Sequence, residues 1–198
     1  MKKIPFILFL CVPIQWLLAQ CNDGEIELWD NCYGIDITYE LNLSGQGLSG
    51  GIPNTIAQLS NLMFLDLSNN NLEGIIPHEI VSMETLLGFN LSHNSLTGGI
   101  PEELGSLTNL MSMDLSHNQL SGTVPSSIGN MTGLVEISLD HNQLSGELPF
   151  EIGQLMFLSE FHANDNQFTG IITDNICESG IGFSNPLNFN IDNNSFRS

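Results

Sequence analysis

The sequence predicts an α/β repeat solenoid, a right-handed superhelix with a parallel β-sheet on its concave side and short 3₁₀ or helical turns on its convex side. Three observations predict it. A block of 24 residues recurs, beginning at Leu62, Leu86, Leu110 and Leu134. Within each block, leucine-like residues occupy places 1, 4, 6 and 11, and places 3 to 7 alternate between polar and apolar residues. Such alternation indicates a strand with one buried face, and self-similarity of this length is typical of a solenoid.

Three further places carry one residue type each, and each type suits a particular local structure. Place 13 is glycine, which suits a corner where φ is positive, and place 16 is proline, which suits an outer turn whose N–H would lack a partner. Place 9 is asparagine, whose amide can donate to and accept from the backbone of the following turn. We expect these amides to form a structural ladder along the solenoid. The ladder residues are Asn70, Asn94, Asn118, Asn142 and Asn166.

The chain begins with a segment that is typical of a secretory signal, over residues 1–20. Lys2 and Lys3 precede an apolar run over residues 4–18. That run is too short for a convincing membrane span, and no other stretch is apolar enough, so we expect no transmembrane segment in the mature chain. Cys21 follows the run directly, which leaves a lipid-anchored chain at the cell surface as an alternative to plain secretion.

Residues 21–36 are predicted to form an N-terminal cap. Cys21 and Cys32 lie ahead of the first repeat, and in an export compartment we expect them to form a disulfide. Closing a loop of that size contributes roughly 3 kcal/mol by the chain-entropy estimate. Trp29 and Tyr33 are expected to cover the open end of the core, because a solenoid without a cap exposes an apolar cross-section.

Residues 37–198 are predicted to be the solenoid itself, with about six repeats of 24 residues and a degenerate last one. Each repeat buries its leucines only against its neighbours, so the array forms one domain. Cys177 has no mate in the mature chain; it is interpreted as a buried thiol or as half of a disulfide with a longer parent chain.

The charge excludes one class of partner. With the expected signal removed, Arg197 remains against 22 acidic residues, a net charge of −21. Such a surface repels phosphate backbones, which excludes nucleic acid as a partner.

One repeat shows the resemblance to a known family most clearly. Residues 110–133 read LMSMDLSHNQLSGTVPSSIGNMTG. This resembles the plant-type leucine-rich repeat, in which a glycine and an isoleucine-proline or valine-proline pair follow the asparagine, and the resemblance covers roughly residues 38–196. The family includes ectodomains of plant receptor-like kinases, polygalacturonase-inhibitor proteins and secreted bacterial proteins. The short acidic cap is more similar to the bacterial group. The resemblance implies binding of proteins or other ligands on the concave or lateral face.

The repeat register assigns variable polar residues at places 5 and 8 to the concave face. We expect a ligand to contact this face. The candidate ligand-binding residues are Asp66, Asn90, His93, Asp114, His117, Ser138, His141 and His162.

Two other columns each allow two interpretations. Place 2 is unexpectedly apolar, as at Met63, Leu87 and Met111, and forms either an exposed contact stripe or a row tucked under the loop. Place 12 is rich in serine and threonine, which either present hydroxyls to a sugar or to ice, or bond to the turn before each glycine. The second interpretation of place 12 is preferred.

The histidines at place 8 raise the question of a metal. His93, His117 and His141 recur at one-strand spacing beside Asp140 and Asp165, and could bind a divalent metal or change charge near about pH 6.5. Duplication of the repeat is the commoner explanation of such a row, so the sequence predicts no metal and no cofactor.

We also expect no enzyme. The serines occupy repeat positions rather than a nucleophile elbow, and there is no phosphate loop, zinc cysteine pair or calcium-binding nonapeptide. The expected function is a secreted, extracellular, non-catalytic recognition scaffold for a protein or peptide, with carbohydrate as an alternative ligand. Two other functions stay open: an ectodomain fragment of a receptor-like signalling protein, and an inhibitor of a secreted hydrolase, which the acidic charge and the cap disfavour.

Overall fold

The computed structural model describes residues 21–172, Ile176 and residues 188–196. The expected signal at residues 1–20, Cys177 and Arg197 lie outside these described residues. None of the helices in the described ranges has the length and apolar character that a membrane span requires.

The N-terminal cap is an antiparallel hairpin of β1 (Glu25–Leu28) and β2 (Asn31–Gly34). A disulfide joins Cys21 and Cys32, whose Cα atoms lie 5.4 Å apart. The alternating strand β1 buries Ile26 and Leu28 in the end of the core. Trp29 and Tyr33 also pack against the core, but they stay half-buried. The lid is therefore formed chiefly by the two aliphatic residues of β1.

Seven short parallel strands form the concave sheet, one from each repeat. They pair in chain order, so that place 5 of each strand lies beside place 5 of the next. Place 4 points into the core, while places 3 and 5 stay at the surface, which confirms the predicted one-sided strand. The strands are β3 (Glu40–Asn42), β5 (Phe64–Asp66), β7 (Gly88–Asn90), β9 (Ser112–Asp114), β11 (Glu136–Ser138), β13 (Glu160–His162) and β15 (Phe189–Asn190).

A second set of short parallel strands lies after place 9 of the repeats, and the repeat pattern did not predict these strands. They form two three-stranded sheets. The glycine at place 13 lies at or near the end of each strand and has φ between 78° and 85°, a conformation that favours glycine. The strands are β4 (Ser49–Gly50), β6 (Asn71–Gly74), β8 (Ser95–Leu96), β10 (Ser121–Gly122), β12 (Gln143–Glu147) and β14 (Gln167–Thr169).

The hydroxyls at place 12 contact backbone carbonyls of the preceding coil. Thr97 donates to the carbonyl of Gly74 at 3.2 Å, and Ser121 and Ser145 lie 3.5 Å and 3.4 Å from the equivalent glycine carbonyls. This supports the interpretation in which the hydroxyl row bonds to the glycine turn rather than presenting a hydroxyl array to a ligand.

In the described residues the convex side carries five 3₁₀ helices, in agreement with the predicted short turns. Each is preceded by the proline of place 16, whose extended backbone begins the turn. Each buries the apolar residue of place 19, and the N–H of place 22 closes the turn on the carbonyl of place 19. The helices are η1 (Asn54–Gln58), η2 (His78–Ser82), η3 (Glu102–Ser106), η4 (Ser126–Asn130) and η5 (Phe150–Gln154).

The core between the two sides is one continuous cluster from Ile26 to Ile176. Towards its C-terminal end, leucine gives way to aromatic residues. Phe161 stacks on Phe189 with ring centroids 5.7 Å apart, and Phe168 stacks on Phe196 at 6.4 Å. The larger rings join the last coil, which follows a longer connection, to the regular repeats.

Candidate functional site

The ladder asparagines connect neighbouring coils through the backbone. Asn118 shows the pattern: Oδ1 accepts the N–H of Leu96 in the preceding repeat at 3.0 Å. Its Nδ2 donates to the carbonyls of Leu91, Leu115 and Ser116 at 3.0–3.2 Å. Asn70, Asn94, Asn142 and Asn166 repeat this set on their own coils. Each ladder asparagine therefore bonds to backbone groups rather than to the next asparagine. These bonds hold neighbouring coils, and with them the concave strands, at a fixed spacing.

At place 5 of the concave strands, the Asp and Asn side chains are held by hydrogen bonds from the backbone two residues further along the chain. Oδ1 of Asp66 accepts the N–H of Ser68 at 2.9 Å, and Oδ1 of Asp114 accepts the N–H of Ser116 at 3.0 Å. Asn90 does the same for the N–H of Ser92. Such local bonds are typical of Asp and Asn at turns. Within the described residues neither carboxylate makes a second hydrogen bond, so each presents one oxygen to a ligand at a fixed place.

A groove of about 600 Å³ crosses the middle of the concave sheet. Its two sides differ in chemistry. Place 5 contributes a polar row, and places 2 and 3 contribute an apolar shelf. Within the shelf, Met111 and Phe64 are each 49% exposed. The polar row is Asp66, Asn90, Asp114 and Ser138, and the shelf is Phe64, Leu87, Met111 and Val135.

The depth of the groove comes from small residues at place 3 of its two middle strands. Phe64 occupies this place in β5 and Glu136 in β11, but Gly88 and Ser112 stand between them. A Cβ on Gly88 would lie only 3.1 Å from the ring of Phe64, so any side chain there would displace the ring. These residues were not among the predicted site residues. The run of small residues in the place 3 column was the sequence signal that identifies them.

The place 2 stripe is exposed enough to contact a ligand. Its N–H groups already bond across to the neighbouring coil, as from Leu87 to the carbonyl of Met63 at 2.8 Å. The side chains of Leu87 and Val135 are half-buried and that of Met111 is exposed. Of the two interpretations of this column, the structure favours the contact stripe.

Place 8 lies in the bend after each strand rather than in the strand itself. Its non-glycine residues all adopt left-handed backbone, with φ between 51° and 56°. Asn, Asp and His are the residue types enriched in that conformation, which explains the composition of the column. The residues are Asn69, His93, His117, His141, Asp165 and Asn193.

The three histidines of this column stack on one another. The rings of His93 and His117 are nearly parallel, with centroids 4.1 Å apart, and His117 meets His141 edge-on at the same separation. Acidic residues border the stack: Nε2 of His117 lies 3.7 Å from Oδ2 of Asp140, and Nδ1 of His141 lies 3.0 Å from Oδ2 of Asp165.

The stack shifts the protonation of its members. Burial and the neighbouring imidazoles of His93 and His141 lower the pKa of His117, although Asp140 and Asp114 oppose the shift. Hydrogen bonds from Asn164 and Asn193, followed by the nearby histidines, hold the pKa of Asp165 below its usual range. The two shifts favour the neutral imidazole of His117 and the ionised carboxylate of Asp165.

The repeat pattern matches a known family model. The leucine-rich-repeat model matches residues 38–96 and 90–144, more than half of the chain. The chain is a plant-type leucine-rich-repeat protein. Among curated proteins, no sequence matches it significantly.

Solved structures extend the similarity of this leucine-rich-repeat protein to most of its length. The Arabidopsis receptor kinase HAESA, solved in complex with the peptide hormone IDA and the co-receptor SERK1, is 35% identical with a TM-score of 0.75. The match covers 80% of this chain and 26% of that chain. PEPR1, solved with AtPEP1, is 30% identical with a TM-score of 0.75, covering 93% and 24%.

A shorter relative matches along most of its own chain. The BIR3–SERK2 complex from Arabidopsis is 31% identical over 73% of this chain and 74% of that chain, with a TM-score of 0.60. By contrast, this leucine-rich-repeat protein spans only about a quarter of the length of the HAESA and PEPR1 chains.

The predicted site residues fall into two groups on this solenoid. Asp66, Asn90, Asp114 and Ser138 line the groove. His93, His117 and His141 form the stack beside it, outside the groove lining. His162 continues the place 5 row in β13, next to Ser138 and beyond the groove. The residues predicted to form one binding face thus fall into two adjacent clusters with different chemistry.

Proposed function

We propose that this leucine-rich-repeat protein is an extracellular, non-catalytic recognition scaffold that binds an extended peptide segment in the groove of its concave face. The observation that carries the proposal is the two-sided groove, with an apolar shelf along places 2 and 3 and a polar row along place 5. The similarity to HAESA, which was solved with a peptide hormone, supports the same class of ligand.

The size of the groove suits a short stretch of peptide. Its lining comes from the four coils that contain β5, β7, β9 and β11. Strands in a sheet lie about 4.8 Å apart, so the outer two of these coils are roughly 14 Å apart. An extended chain rises about 3.4 Å per residue, so about four residues cross the groove. Alternate side chains of such a segment face opposite ways, which matches a site with one apolar and one polar side.

The charge of the groove favours a basic segment. Asp66, Asp114 and Glu136 line it, and the described residues include neither lysine nor arginine. Opposite charges on a partner accelerate association and exclude acidic competitors. A segment that alternates basic and apolar side chains complements both sides of the groove at once.

Neutralising the polar row is expected to weaken binding of such a peptide about tenfold. The probes are synthetic eight-residue peptides that alternate lysine or arginine with leucine or phenylalanine, and glutamate-containing counterparts. In the double variant Asp66→Asn with Asp114→Asn, the Oδ1 caps are kept while two ion pairs of up to about 1 kcal/mol each are lost. Fluorescence polarisation at low and high salt measures the affinity.

The matched control carries the same charge change on the convex side. Glu102→Gln with Glu103→Gln alters two exposed carboxylates of η3 and should leave the affinity unchanged. Equal losses in the two double variants would show that binding follows total charge and would overturn the assignment to the groove. So would equal affinity for the glutamate peptides.

The apolar shelf gives an independent test. Met111→Ser removes the apolar side chain from the middle of the shelf without adding a charge, and we expect the affinity for the same basic-apolar peptides to fall about tenfold, as about 1.4 kcal/mol of apolar contact is lost. Thermal stability should change little because half of the Met111 surface is already exposed. Unchanged affinity in this variant would remove the shelf from the site.

A second candidate function is the ligand-binding part of a longer receptor. The similarity to HAESA, a receptor kinase of which the match covers 26%, favours it. Sequencing the transcript beyond the codon for Ser198 tests it, because a receptor requires a membrane span and a signalling domain in the same reading frame.

A further inference from the structure

We propose that the histidine stack beside the groove contains a binding site for a transition-metal ion of the Zn²⁺ class, formed by His117, Asp140 and His141. Each of the three offers one ligand atom, and these atoms all lie within 4.8 Å of one another. Two histidines and a carboxylate are a ligand set that zinc uses when it keeps an open position for water or a substrate. No metal was predicted from the sequence, because duplication of the repeat is the commoner explanation of a row of histidines.

The site can close on an ion without moving the backbone. Ligands that each lie about 2.1 Å from a tetrahedral metal are about 3.4 Å apart, so the widest separation must shrink by roughly 1.4 Å. The side chains of His117 and His141 are 37% and 42% exposed, which leaves them room to rotate. Their main chains are held by neighbouring coils: the N–H of His117 donates to Asp140 at 2.9 Å, and that of His141 to Asn164 at 3.0 Å.

The surrounding groups prepare the imidazoles for a metal. Asp165 lies 3.0 Å from Nδ1 of His141. A carboxylate at that nitrogen favours the tautomer with the proton on Nδ1, so that Nε2 carries the lone pair. Asp165 thus acts as a positioning residue, of the kind that orients metal-bound histidines in other proteins.

The charge around the cluster also favours a cation. Asp114, Asp140 and Asp165 surround the stack, and the only basic side chains in the described ranges are histidines. A divalent ion would neutralise this acidic row. Imidazole ligands select zinc, copper or nickel over calcium and magnesium, which prefer oxygen ligands.

The repeat itself supplies a replacement that keeps the fold. Place 8 requires left-handed backbone, and Asn69 and Asn193 occupy it with the same φ as the histidines. His117→Asn and His141→Asn therefore remove a ligand without straining the turn. His78→Asn is the matched control, because His78 is exposed on the convex side and pairs with Glu79 outside the cluster.

The experiment measures Zn²⁺ affinity by competition with a chromophoric chelator, without any peptide present. We expect one ion per chain, at least about tenfold weaker binding in each histidine variant and in Asp165→Asn, and no change in the control. Co²⁺ in place of Zn²⁺ should give a visible absorption band that both histidine variants lose. Affinity should fall in acid, because protons compete with the metal for the imidazoles.

Three results would overturn the site: unchanged Zn²⁺ affinity in His117→Asn and His141→Asn, equal loss in His78→Asn, or displacement of Zn²⁺ by an equal concentration of Ca²⁺. The last would show a diffuse acidic surface rather than a ligand set. Because the measurement contains no peptide, it stands or fails separately from the groove.

Discussion

Replacing Phe161 with alanine is expected to lower the free energy of unfolding by about 3–5 kcal/mol. Phe161 is fully buried at place 4 of β13 and stacks on Phe189 of the following coil. The stack joins the last coil to the regular repeats, and the cavity left by alanine cannot be filled from a neighbouring layer. In a solenoid each coil contacts only its neighbours, so the loss should first release the C-terminal coil. Urea unfolding followed by circular dichroism measures the change.

Phe157→Ala is the matched control for that experiment. It removes the same ring, but Phe157 is 70% exposed, and we expect a change within about 0.5 kcal/mol. Comparable losses in the two variants would show that the aromatic residues stabilise the chain by something other than burial in the core. Hydrogen exchange adds a second readout, because Phe161→Ala should lower protection near β13 before it lowers protection near β5.

Replacing Asn118 with alanine is expected to lower the free energy of unfolding by about 4 kcal/mol. The buried amide bonds to the backbone of its own coil and of the preceding one: Oδ1 accepts one hydrogen bond, and the two N–H groups of Nδ2 are shared among three carbonyls. Each bond contributes about 1 kcal/mol, and leaving its partners unpaired in a buried place adds to the loss. Alanine also leaves the N–H of Leu96 and the carbonyl of Leu91 without this partner in a buried place. The same urea titration measures the change.

Gln119→Ala is the neighbouring control for Asn118. The side chain of Gln119 is exposed and should be replaceable within about 0.5 kcal/mol. Asn118→Asp gives a finer test, because the carboxylate keeps the acceptor for Leu96 but loses the three donated bonds. Its loss should be at least as large as that of alanine, since a buried charge is added. A mild effect of Asn118→Asp would show that the donated bonds do not stabilise the coil.

The two proposed sites share one scaffold but depend on different parts of it. The groove depends on strand residues at places 2 to 5, and the metal site on bend residues at places 7 and 8. Asp114 belongs to both settings: its side chain lines the groove, and its charge acts on His117. The double variant at Asp66 and Asp114 therefore touches both settings, whereas the Met111 variant changes only the groove and the histidine variants change only the metal site.

The sequence was sufficient to predict the roles that recur in every coil. The buried places 4 and 6, the turn glycine at place 13, the proline before each 3₁₀ helix and the positions of the ladder asparagines all follow from local preference and period. Place 8 shows the limit of that reasoning. Its residues were predicted to lie on the concave face beside place 5, but the pattern did not show that His117 and its equivalents adopt left-handed backbone in the bend after each strand. Their composition of Gly, Asn, His and Asp was the signal for that bend.

The sequence by itself determined that this protein is a stack of coils with a leucine core, a parallel sheet and an acidic surface, because alternation and period act between residues close along the chain. Only the tertiary structure decided where the surface can bind something. The groove forms because Gly88 and Ser112 lie between Phe64 and Glu136, and the proposed metal ligands meet because Asp140 reaches the coil of His117. Both depend on side chains from different coils, and the distances between those side chains are set by how the coils pack.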